Sequence, residues 1–262
     1  MSSTDKLEPI PRRELHIFYV LDSSGSMSGA PISALNHAME ESITALSSIA
    51  KSSADAEMKI AVLEFNSGCR WITNNGPEKL EDFEWEYIEA GGITDMGAAL
   101  NELDSKLSRH AFLSSMTGAF FPIIIFVTDG HATDDYKKSL EKIRQNKWFT
   151  HAVKIGFAIS EDTDLAMLSS VVGNCEAVIK TTDLNLFKRL VKFASVTPSM
   201  LQTQSHPTSE EVTGEKIVQE ARDQEKLTDD NFVDLKPRDY DPEPKIDPGQ
   251  ESGFDDDDDG TW

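Results

Sequence analysis

Cysteine is nearly absent from this chain. Its 262 residues include two, Cys69 and Cys175, too few for a disulfide framework and without the spacings that hold zinc. Long apolar runs are missing as well, and no stretch approaches the ~18 consecutive apolar residues of a membrane-spanning helix. The opening Met-Ser-Ser-Thr-Asp-Lys-Leu-Glu-Pro has neither the basic region nor the apolar core of a secretory leader. These absences predict a soluble, cytoplasmic protein. Basic side chains are scarce: 25 Lys and Arg stand against 46 Asp and Glu, a formal net charge of -21. Such a chain repels nucleic acid and anionic membrane and favours basic protein surfaces. A phosphate cradle is missing too, because Gly91-Gly92-Ile93-Thr94-Asp95-Met96-Gly97 has neither the Gly-x-Gly-x-x-Gly spacing nor a lysine.

What is present is an alternation of two periodicities. Leu15-His16-Ile17-Phe18-Tyr19-Val20-Leu21 predicts a first strand over 14–21. From Pro31, the apolar positions Ile32, Leu35, Met39, Ile43, Leu46 and Ile49 recur every three or four residues, a long helix with one buried stripe. Residues 58–65 read as a second strand, and Asn66-Ser67-Gly68 turns the chain into a third at 69–73. So short a connection permits only antiparallel pairing. Residues 79–90 mix acids with Phe83, Trp85 and Tyr87 and are expected as a surface loop or short edge segment. A glycine-rich loop at 90–97 opens a helix carrying Leu100, Leu103 and Leu107. Phe121-Pro122-Ile123-Ile124-Ile125-Phe126-Val127 predicts a central strand covered on both faces. A charged helix over 134–147, strands at 151–158 and 176–180, and helices at 164–172 and 183–194 complete the series.

This order predicts an α/β fold, a three-layer sandwich around a doubly wound, mostly parallel six-stranded sheet with one antiparallel edge strand. Residues 1–13 read as a flexible leader, 14–197 as the folded domain and 198–262 as an acidic, largely disordered tail. Residues 201–262 carry 19 of the 46 acids and 6 of the 25 bases, with too few large apolar groups to offset the entropy of ordering. Within them, Val212, Ile217, Val218 and Ala221 form a thin stripe on a transient helix at 209–226, and Phe232-Val233-Asp234-Leu235 is a small apolar island.

The first strand ends abruptly in Asp22-Ser23-Ser24-Gly25-Ser26. Asp22, Ser24 and Ser26 alternate, so a tight turn converges their oxygens on one point. Oxygen donors without sulfur or imidazole suit a hard divalent cation better than zinc. The strongest strand also ends in a carboxylate, in Thr128-Asp129-Gly130. In an open α/β sheet, ligands bind at the carboxyl ends of strands where the winding reverses. If those two strands are neighbours, Asp22 and Asp129 lie side by side there, with helix N-termini at Ala30 and Gly97 directed near them.

Asp22-x-Ser24-x-Ser26 resembles the signature of the metal-ion-dependent adhesion site (MIDAS) of von Willebrand factor A domains, and Thr94 and Asp129 supply its two further pieces in the right order. The resemblance implies that Ser24, Ser26 and Thr94 contact a metal, Mg²⁺ or else Mn²⁺ or Ca²⁺, directly or through water. Asp22 and Asp129 hold it or its waters. It also implies that a partner protein supplies a further carboxylate. One departure is visible: relatives commonly read Gly-Gly-Thr where this chain reads Gly-Gly-Ile-Thr, an extra residue with room to shift the threonine hydroxyl. Asp95 directly after it is a common family companion. Within the family, Phe18-Tyr19-Val20-Leu21-Asp22, Gly29-Ala30-Pro31-Ile32 and Thr128-Asp129-Gly130 with Thr133-Asp134-Asp135 are similar to bacterial stand-alone proteins of the tellurite-resistance, TerY-like type. That likeness spans roughly residues 13–197. It implies a stress-response or phage-defence setting beside a kinase and a phosphatase.

Enzymatic readings are weaker. Phosphatases of the haloacid dehalogenase type also place an aspartate after the first strand, but need an acid two residues on, where this chain has Ser24. His131 and His151 are expected as surface or packing residues. The sequence therefore predicts a non-catalytic, metal-dependent binding module. Two roles are expected for the tail besides solubility. An aspartate of 255–259 could occupy the chain's own metal site, or Ser252 and Thr261 could be phosphorylated.

Overall fold

The computed structural model describes residues 12–53, 56–73, 76–114, 118–203 and 212–243. Ser252, the 255–259 aspartates, Thr261 and most of the expected leader lie outside the described residues.

The alternation of side chains along β1 (Arg13–Asp22) decides the architecture. Leu15, Ile17, Tyr19 and Leu21 enter one apolar cluster, while Phe18 and Val20 enter the other. Both faces must therefore be covered by helices. Parallel β2 (Ala56–Asn66) flanks β1 on one side and parallel β5 (Ile123–Thr128) on the other, with Tyr19 opposite Val62 and Ile125. Beyond β5 lie β6 (Val153–Ala158) and β7 (Val178–Lys180), both parallel. Beyond β2, the hairpin partner β3 (Gly68–Trp71) is antiparallel, as the short connection demands. The order is β3-β2-β1-β5-β6-β7. One face is covered by α1 (Ala30–Ser52), α6 (Leu184–Gln202) and α7 (Gly214–Glu225). The other is covered by α2 (Met96–Lys106), α3 (Tyr136–Ile143), the single turn α4 (Lys147–Thr150) and α5 (Leu165–Val172). No helix of the described residues is long and apolar enough to cross a membrane.

The structure departs from the sequence expectations in four places. The sheet has seven strands rather than six, because β4 (Glu78–Lys79) adds a second antiparallel piece beside β2. Residues 80–90, expected as a surface loop or short edge segment, form an irregular strap held on α1. Leu80, Phe83 and Ile88 are buried, and the Asn36 side chain bonds both the N–H and the carbonyl of Ile88. The charged helix over 134–147 is interrupted. The Asn146 side chain accepts the Trp148 N–H at 3.0 Å and donates to the Leu107 carbonyl at 3.0 Å, which starts a new turn.

The fourth difference is the boundary at 198. α6 continues through Pro198 to Gln202, because Ala194, Ser195, Pro198 and Ser199 are all buried. Further on, α7 buries Ile217, Val218 and Ala221 on the sheet, Phe232 bridges Ile179 at the β7 edge, and Val233 joins the opposite cluster. Few apolar groups suffice here because they fall on one stripe against an existing core.

Candidate metal centre

The winding reverses between β1 and β5, since β2 follows on one side and β6 and β7 on the other. Asp22 closes β1 at that point and is fully buried. Its Oδ1 accepts the Ser24 backbone N–H at 2.8 Å, and its Oδ2 accepts the Thr128 hydroxyl at 2.6 Å. A single helical turn at Gly25–Met27 folds the chain back over the strand end. The Ser24 and Ser26 hydroxyls then lie 3.0 Å apart, and Ser26 donates to Asp129 Oδ1 at 2.7 Å. Gly130 shows how Thr94 joins them. A methyl group added there would lie 3.6 Å from Ser26 Oγ and 3.7 Å from Thr94 Oγ1, so both hydroxyls overlook one bare glycine. Thus Asp22, Ser24, Ser26, Thr94 and Asp129 meet in one place.

The electrostatics of the cluster are one-sided. Burial raises the Asp22 carboxyl above its usual range, against the hydrogen bonds from Thr128 and Ser24, and the nearby charge of Asp129 raises it further. Burial likewise raises Asp129, opposed by the Ser26 hydroxyl. Among the described residues, no lysine, arginine or histidine pairs with either group. Both carboxylates therefore hold a proton more firmly than usual and gain from any added positive charge. Among the described residues no group of three or more His, Cys, Asp and Glu is placed to hold a metal ion. The donors fit a hard cation held by hydroxyls and two carboxylates rather than zinc.

Neighbouring loops fix these positions. Gly25 N–H donates to the Gly92 carbonyl at 3.1 Å, and Gly91 N–H donates to the Ser23 carbonyl at 2.8 Å. Gly92 sits at φ 77°, and a Cβ there would fall 2.5 Å from Ser67 Oγ, so only glycine fits. Ser23 points away from the cluster, donating at 2.7 Å to the buried Glu64, which also accepts from Arg70 at 2.6 Å.

Several contributors escaped sequence reasoning. Thr128 bonds Asp22, Thr133 bonds the Thr94 backbone, and Asp134 caps α2, while Asp95, already noted beside Thr94, accepts from Thr133. The Asp134 carboxylate accepts the Gly97 and Ala98 N–H groups at 2.9 Å each. The N-terminus of α2, expected to face a ligand, is therefore already satisfied from within the chain. The only sequence signal was the dense run of polar residues after Asp129. His131 is exposed beside Asp164, and His151 stacks on Phe121 with ring centroids 4.8 Å apart, so neither joins the cluster.

Residues 16–192 match the sequence model of the von Willebrand factor type A domain. A comparison with curated proteins gave no match. Among solved structures, the chain is similar to a von Willebrand factor type A protein from Catenulispora acidiphila, with 17% identity and a TM-score of 0.50, covering 70% of this chain and 43% of that one. It is also similar to the ArnB paralog VWA2 from Sulfolobus acidocaldarius, at 18% identity and a TM-score of 0.50, over 70% of this chain and 45% of that one. A mutant of the PilB minor pilin from Streptococcus sanguinis shares 13% identity and a TM-score of 0.54, over 76% and 65% of the two chains. The chain thus spans less than half the length of the first two, and at these identities the likeness is one of fold.

Proposed function

The chain belongs to the von Willebrand factor type A domain family over residues 16–192, and on that premise we propose that it is a non-catalytic protein-binding module gated by a divalent cation. The observation that carries this reading is the meeting of three hydroxyls and two buried carboxylates, unpaired by any basic side chain among the described residues, at the switch point of the sheet. Ser24, Ser26 and Thr94 would hold the ion, with Asp22 and Asp129 holding it or its waters. Mg²⁺ suits these donors, with Mn²⁺ or Ca²⁺ as substitutes. When bound, the ion supplies a localised positive charge at the surface, which a carboxylate of a partner protein neutralises. The chain's own residues set the geometry: Thr128 and the Ser24 N–H fix the Asp22 carboxylate, and Asp129 orients Ser26. Ser24 stands two residues after Asp22, where a hydrolase of the haloacid dehalogenase type places its general acid, which favours binding over hydrolysis. The finer setting, a cytoplasmic TerY-like stress-response or phage-defence role beside a kinase and a phosphatase, is supported only by short segmental likeness to that type.

Calorimetric titration of the full chain tests the reading. Saturable binding of Mg²⁺ or Mn²⁺ is expected, and it is abolished by Asp22→Ala. Equal binding by wild type and Asp22→Ala sinks the proposal, as does metal-dependent phosphomonoester hydrolysis that Asp22→Ala removes.

A further inference from the structure

Thr94 reaches the cluster from a loop, not from a strand end, yet it is 5% exposed and its hydroxyl takes no hydrogen bond among the described residues. Something other than its side chain must therefore hold it in place. Both polar groups of its backbone bond one residue, Thr133, and the carbonyl also accepts the Met96 N–H at 3.1 Å. The Thr94 N–H donates to Thr133 Oγ1 at 3.1 Å, and the Thr133 N–H donates back to the Thr94 carbonyl at 2.8 Å. A hydroxyl has one proton and two lone pairs. The Thr133 proton goes to Asp95 Oδ1 at 3.2 Å, which leaves a lone pair facing the Thr94 N–H. The other Asp95 oxygen accepts the Gly68 N–H at 2.8 Å, and the Asp95 N–H donates to the Asn66 carbonyl at 2.9 Å. The chain of bonds therefore runs from the β2–β3 hairpin through Asp95 and Thr133 to Thr94. Asp134, next in sequence, is pinned separately on the α2 N-terminus.

We propose that Thr133 is a positioning residue for the metal centre: it clamps the Thr94 backbone so that the Thr94 hydroxyl stays free and directed at the site. The inference rests on the metal-binding reading above. Groups that orient ligands from outside the coordination sphere are worth 10–100-fold in metal affinity, and a clamp on both backbone groups acts in the same way. The Ile93 side chain, 51% exposed beside Thr94, adds little packing at this point of the loop.

The test is Mn²⁺ affinity of the full chain, read by electron paramagnetic resonance, alongside urea unfolding of the same samples. Thr133→Val keeps the shape but removes the hydroxyl, and Thr133→Ser keeps the hydroxyl. The expected result is about 10–100-fold weaker Mn²⁺ binding by folded Thr133→Val, with Thr133→Ser near wild type. Unchanged Mn²⁺ affinity in Thr133→Val, even with lowered stability, overturns the proposal, because a merely structural residue gives that pattern. Loss of affinity in Thr133→Ser equal to that in Thr133→Val overturns it too. Absence of binding by the wild type removes the metal-binding reading itself, an outcome distinct from wild-type binding that Thr133→Val leaves intact.

Discussion

Asp22 lies at the end of a strand with no exposure to water, and its two oxygens have one strong protein partner each. The bond from the Thr128 hydroxyl, at 2.6 Å, is the shorter. Thr128→Val keeps the volume and β-branched shape that a central strand favours, but leaves one buried carboxylate oxygen without a donor. Orphaning a buried acceptor costs roughly 1–3 kcal/mol, so the unfolding free energy should fall by that amount, lowering the urea midpoint without a change in slope. A midpoint equal to wild type would mean that Asp22 finds another donor. This contribution was invisible in the sequence. Asp22, Ser24 and Ser26 announce themselves because polar residues break an apolar run, but Thr128 is one hydroxyl at the end of the most apolar strand. Its partner is 106 residues away, and only the parallel pairing of β1 with β5 reveals the contact. The same holds for Thr133, whose role depends on a loop 39 residues earlier.

Elements were legible where their periodicity was long and their faces plain. The stripe on α1, β1 buried from Leu15 onward and the fully buried β5 follow from spacing alone. β4 did not, because two residues carry no period, and the 80–90 strap did not, because its buried groups obey neither template. α2 is a case where the terminus matters more than the face. None of its first-turn residues is acidic, and Asp95 at the N-cap position spends its carboxylate on Gly68 and Thr133. The cap comes instead from Asp134, 37 residues on, which accepts the Gly97 and Ala98 N–H groups. Asp134→Ala should cost about 0.5–2 kcal/mol, the usual range for a lost N-terminal cap. Hydrogen exchange should localise the loss to amides of the first turn of α2. Protection unchanged at Gly97 and Ala98 would show that another group had replaced the carboxylate.

At the scale of the molecule, the region expected to be tail encircles the β7 edge. α7 lies on one face, Phe232 bridges Ile179 at the edge, and the chain ends its described course on the other face. There the Glu243 N–H donates to the Gly173 carbonyl at 2.9 Å. The composition hid this, because the region is acidic and polar overall. Among the described residues three ion pairs fasten it, the first being Arg189 with Glu225 between α6 and α7, its arginine 53% exposed. Arg144 with Asp241 is partly in solvent, since the Asp241 side chain is 69% exposed, and such a pair is worth little. Lys154 with Glu243, at 2.7 Å, has side chains 5% and 14% exposed. Lys154→Met leaves Glu243 without its cation in a nearly closed site and should cost ~3–5 kcal/mol, whereas Lys154→Met with Glu243→Leu should recover most of it. Burial holds the Lys154 amine below its ordinary 10.5, although Glu243 pulls it upward. The unfolded chain therefore binds that proton more firmly than the folded one. Stability from this group must rise as pH climbs through the folded value toward 10.5, and the rise should vanish in Lys154→Met. A single variant costing under about 1 kcal/mol, the range of exposed pairs, would show that the belt is held by its apolar packing and backbone bonds, with the ion pair a passenger.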